Sequence, residues 1–283
     1  MRYGVGIPNV GEYGDPGVLV GLGRDAEAAG WDAVLVWDHV AYRRRGWAAA
    51  DPTVALTAIA AATSRVRIGM LAAAIPRRRP WKLARETATL DLLSAGRLIL
   101  GAGLGSQAEE EYQAFGEDGD ARARAARLDE GLAILTGLWS GEPFSHDGRA
   151  YRVAETTFLP RPVQVPRVPV WIAGRWPNRP PFRRAARWDG VVPTHADVDH
   201  AGTMTPEQLD EIVRYTLAHR PAGLGPLEVV VEGHTGGRDR AADHDRVAAL
   251  EAAGLTWWVE KLGWFHGPVA EARARVRAGP PRA

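Results

Sequence analysis

The sequence predicts an α/β fold: a closed (β/α)8 barrel forming one domain over residues 1–283, with an insertion at about residues 120–165 between the fourth and fifth strands. Three observations predict it. Short apolar runs alternate with helical stretches, the pattern of a parallel sheet joined by right-handed crossovers. Eight such runs occur, which favours closure over an open sheet. A unit also recurs in which a helix ends in Gly or Arg, a Trp-Asp or similar pair follows, and a β-rich run begins. Glu27-Ala28-Ala29-Gly30-Trp31-Asp32 leads into Ala33–Trp37, Ala185-Ala186-Arg187-Trp188-Asp189-Gly190 into Val191-Val192, and Glu251-Ala252-Ala253-Gly254 into Leu255–Val259.

The strand candidates are 3–7, 32–37, 66–71, 97–102, 169–173, 189–193, 227–232 and 255–259. Runs this apolar suit strands buried on both faces. Gly30 and Gly254 are placed to supply left-handed helix C-caps. Asp51-Pro52 reads as an N-cap followed by Pro at the first helical position. Ser106-Gln107-Ala108-Glu109 and Thr205-Pro206-Glu207-Gln208 both fit the capping box. Within the insertion, a helix over 121–139 carries Leu128, Leu132, Leu135 and Trp139 at helical spacing. Residues 141–158 read as a hairpin turning at His146-Asp147-Gly148, since Asp-Gly is a strong turn signal. Pro160 to Pro169 is an extended connection, and Gly279 to Ala283 is expected to fray.

Composition narrows the chemistry. Net charge is +1, from 35 basic and 34 acidic side chains, which argues against a nucleic-acid partner. Lys82 and Lys261 are the only lysines, so 33 of the 35 are Arg, the side chain that grips anions with a planar fork. With no Cys, disulfides, thiolate metal sites and cysteine nucleophiles are excluded. No stretch approaches ~18 consecutive apolar residues, so no membrane span is expected. Met1 to Pro8 lacks the apolar core of a signal peptide, and a cytoplasmic location is expected.

In a parallel barrel the site lies at the C-terminal ends of the strands. After the second strand come Asp38 and His39, then Arg43 to Arg45; His39 is either a proton donor or a rim residue held by Asp38 or a carbonyl. After the third come small apolar residues, which leave room for a flat ligand or simply pack, and then Arg77 to Arg79. The two Arg triplets suit an anionic tail, or are solvated loops. Gly101-Ala102-Gly103-Leu104-Gly105-Ser106 after the fourth strand is not the dinucleotide fingerprint, because Ser106 stands where the third Gly belongs. It is a close backbone approach to a ligand or a tight turn. Gly174, Arg175 and Trp176 precede a helix, an arrangement suited to phosphate; Arg183, Arg184 and Arg187 read as a solvated face. His195, Asp197, Asp199 and His200 lack the carboxylate cluster that would complete a metal set, and no metal is expected. Glu260-Lys261 is a possible rim ion pair. Trp37, Trp47, Trp81 and Trp176 fall on the same rim. No nucleophile elbow, zinc-protease pair or Gly-Lys-Ser/Thr phosphate loop is present.

Four segments carry a family resemblance: Trp31 to His39, Thr63 to Gly69, Leu83 to Gly103, and Pro169 to Gly174 with Ala185 to Gly190. Together they resemble the luciferase-like monooxygenase family, the (β/α)8 flavoproteins that include bacterial luciferase and the coenzyme F420-dependent reductases. The similarity covers residues 1 to about 195 well and the remainder loosely. The resemblance implies a flavin- or F420-dependent oxidoreductase acting on a small organic substrate by hydride transfer or oxygen insertion. It implies F420 in preference to FMN, because Asp38-His39 looks like the F420 branch whereas several FMN members carry Glu-His. His39 would sit beside the ring and be catalytic. Asp38, His39, Leu71, Ala72, Gly103, Gly105, Ser106, Gly174, Arg175 and Trp176 would contact the cofactor. A non-proline cis peptide is implied at about Leu71–Ala72, with the cofactor phosphate near Gly174, Arg175 and the following helix. A homodimer and a separate cofactor-reducing enzyme are implied as partners. Loops after strands two and four, with the 141–160 insertion, would cover the site. The Glu that acts as acid in the F420-dependent sugar-phosphate enzyme is replaced by Ser106, and Ala73 and Ala74 replace common polar residues. Those departures leave two other readings: a non-catalytic flavin-binding member, and a phosphate-ligand barrel isomerase.

Overall fold

The computed structural model describes residues 1–42 and 46–282, so the expected Arg43–Arg45 anion site lies outside the described residues. Eight parallel strands close a barrel: β1 (Arg2–Ile7), β2 (Ala33–Val36), β3 (Arg67–Ala74), β4 (Leu98–Gly103), β7 (Val170–Trp176), β8 (Gly190–His195), β9 (Glu228–Gly233) and β10 (Trp257–Lys261). All eight match the expected runs. β5 (Phe144–Asp147) and β6 (Arg152–Thr156) form a separate antiparallel hairpin. The helices are α1 (Pro16–Ala28), α2 (Pro52–Ala62), α3 (Pro80–Leu93), α4 (Ala108–Glu111), α5 (Ala121–Trp139), α6 (Pro180–Ala185), α7 (Pro206–Ala218), α8 (Arg240–Ala252) and α9 (Val269–Arg277).

The recurring Trp-Asp unit has a physical reason. Asp32, just before β2, accepts the Tyr3 amide of β1 at 2.8 Å. Asp189, before β8, accepts the Val170 amide of β7 at 2.7 Å. Thr256 Oγ1, before β10, accepts the Val229 amide of β9 at 2.9 Å. In each case a side chain at a strand start ties down the first amides of the neighbouring strand, which would otherwise be unpaired at the sheet end. Gly30 and Gly254 carry the left-handed φ expected of them, +83° and +102°. Asp51 caps α2 through Val54 N, and Thr205 with Gln208 forms the complete capping box of α7.

Strand alternation splits the core in two. Ala33, Leu35, Leu71, Ile99, Trp171, Val192, Val230, Trp257 and Val259 fill the barrel interior, while the opposite set packs under the helices. β1 contributes Gly4 and Gly6 to the interior.

Four expectations are corrected. The Ser106 capping box does not form: α4 begins at Ala108 behind Gln107, which is left-handed and makes no side-chain cap. The hairpin turn falls at 148–151 rather than 146–148, because the Glu130 carboxylate of α5 collects the amides of Arg149, Ala150 and Tyr151 at 3.0 Å. The hairpin lies against the outer faces of α3 and α5, through Phe144 over Gly137, Trp81 against Tyr151 and Arg85 over Phe158, and so does not roof the mouth. The tail does not fray through Arg282: Pro280 and Pro281 are buried, and Arg282 reaches Asp32 at 2.8 Å.

Candidate active site at the barrel mouth

Continuing the inward alternation to the strand ends places Trp37, Leu71, Gly103, Arg175, Thr194, Glu232 and Lys261 around the mouth. Two halves result. The ends of β3, β4 and β7 offer Ala72, Gly103 and Ala173. The other side carries polar and aromatic groups. The Leu71–Ala72 peptide is cis, as the resemblance implied, and the β3–β4 register shifts between Met70 and Ala73.

His39 is the best-anchored group. Buried Asn9 grips its backbone from both sides: Nδ2 donates to the His39 carbonyl at 2.8 Å, and Oδ1 accepts the His39 amide at 3.1 Å. The imidazole Nδ1 lies 2.9 Å from Glu111 Oε1. A carboxylate can only accept, so Nδ1 carries the proton in the neutral ring, and Nε2 is left without a partner among the described residues. Glu111 Oε2 accepts the Val40 amide at 3.1 Å and pairs with Arg77. The Glu111 side chain is 1% exposed and that of His39 is 12%. Tyr112 and Arg124 hold the 104–111 loop in place by binding the Leu104 carbonyl at 2.7 and 3.1 Å. Gly105 permits this: its φ is +73°, and a Cβ there would sit 2.8 Å from the Tyr112 hydroxyl.

Asp38 faces away from the mouth, into the protein. It accepts Arg77 Nη2 at 2.8 Å, Arg78 Nη2 at 2.7 Å and the Ala74 amide at 2.9 Å. Burial alone would raise its carboxyl, but Arg78, Arg77 and that amide hold it below the usual range. The expected anion site at Arg77–Arg79 is therefore corrected: Arg77 and Arg78 are spent on Asp38 and Glu111. His39 is held by Glu111, and not by Asp38 or a carbonyl.

The helix after Gly174 is corrected as a phosphate site. α6 begins Pro180-Pro181, which have no N–H, and the Phe182 and Arg183 amides are taken by the Arg179 carbonyl. Gly174 instead lets α6 pack closely, since a Cβ there would meet Pro181 at 2.7 Å. Arg175 remains exposed at the mouth, bonded to the Ala196 carbonyl. Trp176 turns outward between Phe182 and Tyr215. Ser106 is exposed on the loop. Arg184 is not solvated but pairs bidentately with Asp129.

Glu260 and Lys261 do not pair with each other, because adjacent strand residues face opposite sides. Glu260 is fully buried outside the barrel with Arg275, Thr235 and His234. Burial would raise its carboxyl, yet these partners hold it low. Lys261 points into the mouth and donates to the His200 carbonyl at 2.8 Å. Trp37 donates to Glu232 at 3.2 Å and stacks on Phe265. Among the described residues no set of three His, Asp or Glu side chains gathers as metal ligands, and no helix is long and apolar enough to cross a membrane.

Asn9, Glu111 and Glu232 were not singled out from the sequence. Glu111 ends the run Glu109-Glu110-Glu111, which reads as a solvated face; its neighbour Tyr112 was the available signal that the run is anchored.

Comparison with known proteins identifies relatives of the chain. The chain is 36% identical over 230 residues to an F420-dependent glucose-6-phosphate dehydrogenase from Beutenbergia cavernae, covering 80% of this chain and 65% of that protein. It is 32% identical over 164 residues to the oxygenase component of a flavin-dependent trigonelline monooxygenase from Acinetobacter baylyi, covering 58% of this chain and 44% of that protein. These matches thus span less than two thirds of either relative. Among solved structures, the monooxygenase RslO1 from Streptomyces bottropensis superposes with a TM-score of 0.75 at 23% identity, over 98% of this chain and 97% of that one, a likeness of fold. The sequence profile of the luciferase-like monooxygenases matches residues 1–277, and the chain belongs to that family.

Proposed function

We propose that this chain is an oxidoreductase that holds a flat redox ring, F420 in preference to FMN, across the barrel mouth against His39. One observation carries the reading: at the mouth, a buried carboxylate fixes His39 through Nδ1, and Nε2 has no partner among the described residues. The mouth fits a ring on its β3–β4–β7 side. The nearest side-chain atoms that a Cβ on Gly103 would meet are the methyls of Ala173 at 3.4 Å and Ala72 at 3.7 Å, so this side of the mouth is lined by small apolar residues. Ala72, Gly103 and Ala173 would form the floor of the ring site, and Arg175 would meet the anionic tail with its side chain rather than with helix amides. Two relatives support the cofactor class, one named for F420 and one for flavin.

When bound, such a ring supplies hydride transfer or, as reduced flavin, reaction with oxygen. The protein's own part is positional and protonic. Glu111 and Asn9 fix the imidazole plane, and Nε2 is placed to accept or donate one proton. Arg77 neutralises the carboxylate behind it. If FMN is the cofactor, a separate reductase delivers it reduced, consistent with a relative that is an oxygenase component. A homodimer belongs to the same reading, and sedimentation velocity tests it.

The test is titration of the purified protein with FMN and with F420, followed by fluorescence quenching. Micromolar binding of one and a His39→Ala variant that binds but turns over at least tenfold slower are expected. Binding of neither ring, or unimpaired turnover by His39→Ala, refutes the proposal.

A further inference from the structure

Lys261 is a buried cation that the proposed ring chemistry does not use. Its ammonium donates to one carbonyl and makes no ion pair among the described residues. It lies 5.9 Å from the centre of the Trp37 ring and 5.7 Å from that of Phe265. It opens on a cavity of about 180 Å³ whose polar lining includes Arg175, Thr194, His195, Asp199, His200 and Glu232. A desolvated ammonium with unused donors is costly unless an anion completes it.

We infer that this cavity is a subsite for the carboxylate of a small hydroxy acid, the carboxylate bound to Lys261 and the hydroxyl donating to Glu232. Three observations select that class. The wall carries both signs: Lys261 is its buried cation, Arg175 stands at its edge, and of its two carboxylates Asp199 already accepts the Ala201 and Gly202 amides of its own turn while Glu232 takes the Trp37 N–H on Oε1 and lies on the barrel side with Lys261. An acid with a donor group matches both signs, whereas a bare anion leaves Glu232 opposing it. The volume limits size: a cavity of about 150 Å³ admits benzene, so this one takes on the order of seven non-hydrogen atoms. The subsite lies on the β8–β10 side, away from the floor at Ala72, Gly103 and Ala173. As a substrate site it rests on the proposed oxidoreductase reading; as an anion site it stands without it.

Calorimetry on the protein without cofactor tests it, with lactate as probe, glycerol as its neutral counterpart and inorganic phosphate as a stand-in for a cofactor tail. Lactate is expected to bind saturably, and glycerol not. Lys261→Met should weaken lactate at least tenfold, and Lys261→Arg should keep it within a few-fold. FMN or F420 affinity should be unchanged in both variants. Equal lactate binding by Lys261→Met, equal binding of glycerol, or no binding of lactate to the wild type overturns the proposal. Loss of phosphate and ring-cofactor binding in Lys261→Met, with lactate retained, also overturns it and assigns Lys261 to the cofactor tail. Lactate binding with neither ring bound keeps the subsite and removes the redox reading.

Discussion

Replacing Glu111 by Gln tests the anchoring of His39 without changing the shape of the side chain. Glu111 takes three hydrogen bonds, from His39 Nδ1, the Val40 amide and Arg77. The Gln carbonyl can keep the Val40 and Arg77 contacts, but its NH2 then faces His39. The imidazole must accept at Nδ1 and move its proton to Nε2. Hydrogen bonds to charged groups contribute about 1.5–3 kcal/mol against about 0.5–1.5 for neutral ones, so the His39 and Val40 bonds, which lose their charged partner, together give up roughly 2–3 kcal/mol. Arg77 retains Asp38, which keeps the loss at that end. For 283 residues, the unfolding entropy of about 2.1 cal/mol/K per residue converts this to a Tm fall of about 3–5 °C. Calorimetry reads the Tm, and long-range 15N–1H NMR of the histidine rings reads the tautomer. Neutral His39 should change from Nδ1–H to Nε2–H. A Tm within about 1 °C of wild type, together with an unchanged tautomer, would refute the assignment of Glu111 as the group that holds the ring.

Three further outcomes are expected. Gly6→Ala would put a Cβ 2.8 Å from Glu232 Oε1 and 3.0 Å from Val259 Cγ1; it should displace that carboxylate, break the Trp37 bond and alter tryptophan fluorescence, at a cost of about 1–3 kcal/mol because the carboxylate yields more easily than the buried valine. Thr256→Val removes the acceptor for the Val229 amide and the donor to Glu228, and denaturant melts should show a loss of about 1–3 kcal/mol. Burial and the stacked His234 push His266 down to about 4, below its unfolded value. The unfolded chain therefore binds more protons between about pH 6.5 and 4, and stability present above 6.5 is lost as pH falls through that window. With the ring partly exposed, the loss is about 1 kcal/mol rather than the full value of the shift. His266→Gln should flatten that limb of the pH–stability curve, and an unchanged slope would count against the assignment.

The barrel was legible because each strand is an apolar run bounded by its own punctuation, and those signals are local. His39 was legible because topology alone puts the residues after β2 at the mouth. Its anchor was not: Glu111 is 72 residues away, and nothing in an acidic run says which carboxylate turns inward. The Arg77–Arg79 triplet misled for the same reason. A sequence shows that cations exist, whereas pairing with Asp38 and Glu111 is decided by tertiary approach. Glu260 and Lys261 were read as neighbours in a pair, although strand alternation sends adjacent side chains to opposite faces. The α6 terminus could have been settled from sequence, since Pro180-Pro181 removes the two amides that an anion would use.

The clasps formed by Asp32, Asp189 and Thr256 all lie at strand starts, on the rim opposite His39. Strand register is thus secured at one end of the barrel by groups that take no part in binding. The loops at the other end can be exchanged for loops of different length or charge without asking them to hold the barrel closed. For protein engineering, this makes the mouth the place to graft new specificity and the three clasps the residues to leave untouched.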